Sequence, residues 1–176
     1  MTDATTRNAP PARRSPLFDF ESELTRTRRV LERIPVEQAG WRPHEKSTPL
    51  GVLASHVATL PRFVPTILQQ DGIDLAGRPP RPPEPPASRA DLLRTFDESA
   101  AAARSALASV NAERLAAPFA LRRGDFVFME GARDELIRSM VISHLVHHRA
   151  QLGVYLRLLD VPVPALYGPS ADEQPA

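Results

Sequence analysis

The sequence predicts an all-α chain: a four-helix bundle with a long proline-rich crossover between helices two and three. Three observations carry this. Four segments place apolar residues at three- and four-residue spacing, the rhythm of an amphipathic helix. The stretch "DGIDLAGRPPRPPEPPAS" (71–88) can be neither helix nor central strand, so it must link elements over the surface. The 176 residues suit one compact domain that buries a core without covalent staples. That domain is expected over 16–170. A flexible polar tail precedes it (1–15) and a short C-terminal tail follows (171–176).

The first helix is read from Leu17, Phe20, Leu24, Leu31 and Ile34, and ends near Pro35. The loop after it carries Trp41, the only tryptophan, which is expected to pack onto the core. Thr48 and Pro49 read as an N-cap and a first-turn proline. The second helix then runs through Val52, Leu53, His56, Leu60, Phe63 and Ile67, with Pro61 and Pro65 set to kink it or end it early. Ser88 caps the third helix, with Asp91 at its third position and Leu92, Phe96, Ala103, Leu107 and Val110 as its stripe. Residues 118–131 read as irregular or as a short hairpin. The fourth helix is expected from Arg133 to Leu159, the longest and most regular, and prolines stop it.

Composition excludes several classes. There is no cysteine, so no disulfide, no thiolate metal ligand and no protein thiol nucleophile. Net charge is +1, and the arginines are interleaved with acids rather than gathered in a stripe. Nucleic acid is therefore not an expected partner, and "TRTRRV" (25–30) reads as a solvated helix face. No apolar run suggests a signal peptide or a membrane span, so a soluble cytoplasmic protein is expected. HExxH, a glycine-rich phosphate loop and a nucleophile elbow are all missing.

The informative stretch is "SHLVHHRAQL" (143–152), which holds three of the five histidines. At about 100° per residue, His144 and His148 share one helix face, with Ile137, Gln151 and Tyr155 near the same line. His147 stands to the side, and His44 reads as a solvated loop residue. An HxxxH pair alone is ordinarily packing. A third histidine, His56, lies in the core stripe of another helix. Helices two and four packed at about 8–10 Å would let it join the pair. Three neutral imidazoles around a divalent ion leave one coordination position free. Imidazole suits zinc, nickel, iron and copper alike.

Taken together, "WRPHEKST", "TPLGVLASHVATL" (48–60), "HLVHHRAQLGVYLR" (144–157) and the trailing "VPVPALYGPSAD" resemble the DinB/YfiT-like superfamily of four-helix-bundle metalloenzymes. The match covers helices two and four and their flanking loops. Ala150 stands where the family commonly has glycine. The resemblance implies a divalent metal (zinc, nickel or iron) on His56, His144 and His148, a homodimer, and a role in stress response. It also implies chemistry with low-molecular-weight thiols such as mycothiol, bacillithiol or glutathione. A chain without cysteine must take such a thiol from a small cosubstrate. His147, Gln151 and Tyr155 are candidates to orient ligands or substrate. Two other readings stand beside an S-transferase or isomerase. One is a metal-dependent hydrolase of small esters or amides, with Glu45 and Glu130 as its only candidate bases. The other is a non-enzymatic metal- or ligand-binding protein.

Overall fold

A computed structural model of the chain describes residues 17–77 and 82–174. The expected tail at 1–15 lies outside the described residues.

Helix α1 is Phe20–Leu31, with Glu21 and Glu23 in its first turn and Arg28 and Arg29 in its last. Each charge suits the helix dipole at its own end. Helix α2 is Leu50–Thr59. The expected Thr48 cap is not made: Pro49 takes the N-cap position with no side-chain bond. Leu60–Arg62 then tightens into a 3-10 turn around Pro61, and α3 follows as Phe63–Gln69. So the second helix is broken at its first proline, which supplies no N–H to the ladder. Helix α4 is Arg89–Ser109, and here the expected cap is present: Ser88 Oγ accepts from the Asp91 N–H at 3.1 Å and donates to Asp91 Oδ2 at 2.7 Å. A short α5, Ala112–Ala116, leads into the hairpin.

The all-α expectation needs one correction. A three-stranded sheet is present, in the order β1 (Gly72–Asp74), β2 (Pro118–Arg123), β3 (Phe126–Ala132). β1 runs parallel to β2, and β2 and β3 form an antiparallel hairpin around Gly124, whose φ is +58°. β1 hides in the proline-rich connection because a three-residue edge strand needs no period of its own. Its neighbour β2 supplies the order.

The fourth helical stretch is continuous but not regular. Helix α6, Arg133–Ile137, passes into a π turn, Arg138–Ser143, and then α7, His144–Leu158. A π turn takes up an extra residue and resets the helical phase of the residues after it. Ile137 is fully buried, whereas His144 is only partly so. The two do not share the line that an unbroken helix would give them.

α1 packs against α4 and α7, and α2 packs against the same two helices. The core runs between them through Leu24, Leu31, Val57, Phe96, Val141 and Leu152, each 2% exposed or less. Full burial of such a side chain contributes about 1.5–3 kcal/mol. The start of α2 sits unusually close to its surroundings. A Cβ at Gly51 would lie 2.7 Å from the Ala39 Cβ and 3.0 Å from the Pro85 Cβ. Residues 171–174 are tied down: Asp172 pairs with Arg157 at 2.5 Å, and Glu173 with Arg33 at 2.9 Å. No helix among the described residues is long and apolar enough to cross a membrane.

Candidate metal centre

α7 carries two parallel lines of residues. Leu145, Arg149, Leu152 and Leu156 are the buried line, each 2% exposed or less. His144, His148 and Gln151 lie one position ahead of members of that line and are partly buried. Of the expected line of His144, His148, Gln151 and Tyr155, the first three thus flank the core rather than form its centre, and Tyr155 is buried. That placement keeps the imidazoles within reach of a ligand.

His56 projects from α2 toward the same spot. Its Nε2 lies 3.4 Å from His144 Nε2, and His148 Nε2 lies 2.7 Å from His144 Nε2. The three residues each offer one nitrogen within 4.8 Å of the others, so the group could hold a metal ion. Nitrogens about 2.0–2.1 Å from a tetrahedral ion stand about 3.3–3.4 Å apart. The first separation matches that figure, and the second would open by under about 1 Å.

The outer nitrogens explain the orientation. His148 Nδ1 meets Gln151 Oε1 at 2.7 Å, and His144 Nδ1 meets the Met140 carbonyl at 3.3 Å. Both partners are acceptors, so each Nδ1 carries the proton. Each Nε2 therefore turns a lone pair inward. Two ring nitrogens at 2.7 Å need either a shared proton or a cation between them. The donor set thus fits a divalent metal.

Electrostatics agree. Burial lowers the His56 pKa to about 4, helped by His148 and His144. His144 is lowered as well, again by burial first and then by His148. Neutral imidazole is the metal-ligating form.

The remaining candidates separate. Gln151 is at the site through His148. His147 is exposed, with its ring 4.9 Å from that of His148. Tyr155 is engaged elsewhere: its hydroxyl donates to the Thr48 carbonyl at 3.2 Å, and its ring meets Trp41 edge-on at 5.4 Å. Glu45 and Glu130 are exposed. His44 is exposed too, and its Nδ1 accepts from the Lys46 N–H.

Sequence reasoning missed two features. One is Arg149, 1% exposed, which donates to Glu23 Oε2 at 2.6 Å and to Thr27 Oγ1 at 3.1 Å. Tyr167 closes this network by donating to Glu23 Oε2 at 2.7 Å. The only hint was an arginine inside a helical apolar pattern. The other is a cleft of about 590 Å³ whose wall includes His56, His144 and His147. Its remaining lining comes largely from the π turn, which has no sequence signature, and from the sheet, of which the sequence suggests only the hairpin.

No curated protein gives a significant match to the chain. Among solved structures, a DinB-like protein of Bacillus cereus is similar, with a TM-score of 0.63 at 20% identity over 86% of this chain and 95% of that one. A DinB-like protein of Bacillus subtilis gives a TM-score of 0.64 at 16% identity, over 92% of this chain and all of that one. At such identities the likeness is one of fold. The sequence profile of the DinB superfamily matches residues 19–152. The chain belongs to the DinB superfamily.

Proposed function

We propose that the protein is a divalent-metal-dependent enzyme that transfers a low-molecular-weight thiol, with His56, His144 and His148 as the metal ligands. The ring of α1, α4, α2 and α7 is read as a four-helix bundle, with the 71–88 segment as its crossover. The observation that carries the reading is the convergence of three Nε2 atoms at 2.7 and 3.4 Å, with two of the outer nitrogens held by acceptors. A divalent ion held there would lower the pKa of a thiol in its free position. The chain's own part is to hold His56 and His144 neutral, to orient His148 through Gln151 and to offer an apolar cleft beside them. In the overall reaction, sulfur bonds to an electrophilic carbon, the leaving group departs with its electron pair, and the thiol proton passes to solvent.

The hydrolytic reading is weaker here, because no Asp or Glu is among the described residues that line the cleft. A purely sequestering protein would have no use for an open cleft of about 590 Å³ at its metal site. A cytoplasmic homodimer goes with the proposal, and light scattering tests the dimer.

Metal analysis is the deciding experiment. Protein purified without a nickel column should hold close to one divalent ion per chain, and His148→Ala should lose it. Sub-stoichiometric metal that is the same in both would sink the site. Turnover that needs a thiol then separates transfer from hydrolysis.

A further inference from the structure

The cleft beside the histidines has an unusual wall. Ile73 pairs with Leu121, and Leu121 with Met129, so one residue from each strand forms a single row across the sheet. All three line the cleft. Their neighbours Arg122 and Glu130 do not, as alternation along a strand requires. Leu60 and Phe63 close the side formed by the 3-10 turn and α3, and Met140 the side formed by the π turn. Among the described lining residues none is Asp, Glu, Lys or Arg.

We propose that this cleft binds an uncharged, mainly apolar small molecule and presents it to the histidine group. The inference rests on the thiol-transfer reading for the fate of that molecule, which would be the electrophile. A low-molecular-weight thiol of the peptide or glycoside kind is too polar for these walls. Most of its amides and hydroxyls would lose water against the apolar rows, because the described polar lining is confined to Ser139, Ser143 and the histidines at one side. The volume lies within the range of small-molecule sites. Phe63 is 39% exposed, so the cleft opens to solvent beside an apolar side chain. Two methionines let the walls adjust to different shapes. The structure therefore assigns breadth among apolar ligands, with charge as the excluding feature.

N-phenyl-1-naphthylamine, a neutral apolar fluorophore, tests this on the full chain with zinc added. Wild type should bind one probe per chain with enhanced emission. Leu121→Asp should weaken binding by at least about tenfold, because a carboxylate is set into the apolar wall. Met129→Glu does the same from the neighbouring strand, should Leu121→Asp fold poorly. Phe126→Ser, an exposed hairpin residue outside the cleft, should bind as wild type does. The proposal is overturned if the wall variants bind unchanged while melting like wild type. It is equally overturned if Phe126→Ser abolishes binding, or if anionic 1-naphthoate binds as tightly as the neutral probe. Zinc content measured on the same samples keeps the two ideas apart. Probe binding without zinc upholds the cleft and removes the metal reading. Zinc without probe binding does the reverse.

Discussion

The Gln151 side-chain oxygen stands 2.7 Å from His148 Nδ1, one turn of α7 away. That contact decides which nitrogen of His148 faces His144. Gln151→Leu keeps the volume and removes the acceptor. Metal affinity should fall roughly 10–100-fold, the usual cost of losing an outer partner of a ligating histidine. Competition with a chromogenic chelator measures it. An unchanged affinity would mean that His148 is oriented by packing alone.

Protonation gives a second outcome. An unfolded histidine titrates near 6.5, whereas folded His56 is held to about 4. Between those values the unfolded chain binds a proton that the folded chain refuses. The metal-free protein should therefore be most stable above about pH 6.5 and lose stability as pH falls toward 4. His56 is only partly buried, so water screens the effect and about 1–2 kcal/mol is expected. Denaturant melts of wild type and His56→Gln at several pH values isolate this part. Parallel pH curves for the two proteins would contradict it.

Glu23 and Arg149 form an ion pair with side chains 5% and 1% exposed. Glu23→Ala leaves a buried guanidinium without its counter-charge and should cost about 3–5 kcal/mol. The double variant Glu23→Met, Arg149→Met should recover much of that loss, because no bare charge is left inside. Chemical denaturation of all three proteins gives the comparison. A double variant no better than the single one would show that the network does more than balance charge.

Gly51 offers a test away from the metal. Gly51→Ala forces a methyl against Ala39 and Pro85, and should destabilise by about 1–3 kcal/mol. Metal content should stay that of wild type. A thermal melt and a metal assay on one sample check both statements.

Much of this was legible in the amino-acid order. His144 and His148 are four apart on a helix, and His56 lies in another apolar stripe, so their meeting comes from period and packing. Ser88 and Asp91 announced their cap. Other features resist such reading for physical reasons. A π turn is a change in hydrogen-bond span, and nothing in "RSMVIS" names it. Tyr155 continues the histidine line by count, yet its hydroxyl is taken by a loop carbonyl more than 100 residues away in sequence. Nothing near Arg149 in sequence marks it for burial, because Glu23, which neutralises it, lies 126 residues earlier. The wall of Ile73, Leu121 and Met129 joins two segments that sequence distance keeps apart.

One pattern in α7 reaches further. His144 is followed by Leu145, His148 by Arg149 and Gln151 by Leu152. Each residue of the site is thus chained to an anchor of the interior by a single peptide bond. A one-residue step is a rotation of about 100°. If the π turn upstream relaxed to an α turn, the helix would come round by about that much, and imidazoles would be driven inward as leucines came out. The interior forbids this, so it acts as the detent that fixes the angular setting of the histidines. Steadiness at the site is supplied by residues that never touch it.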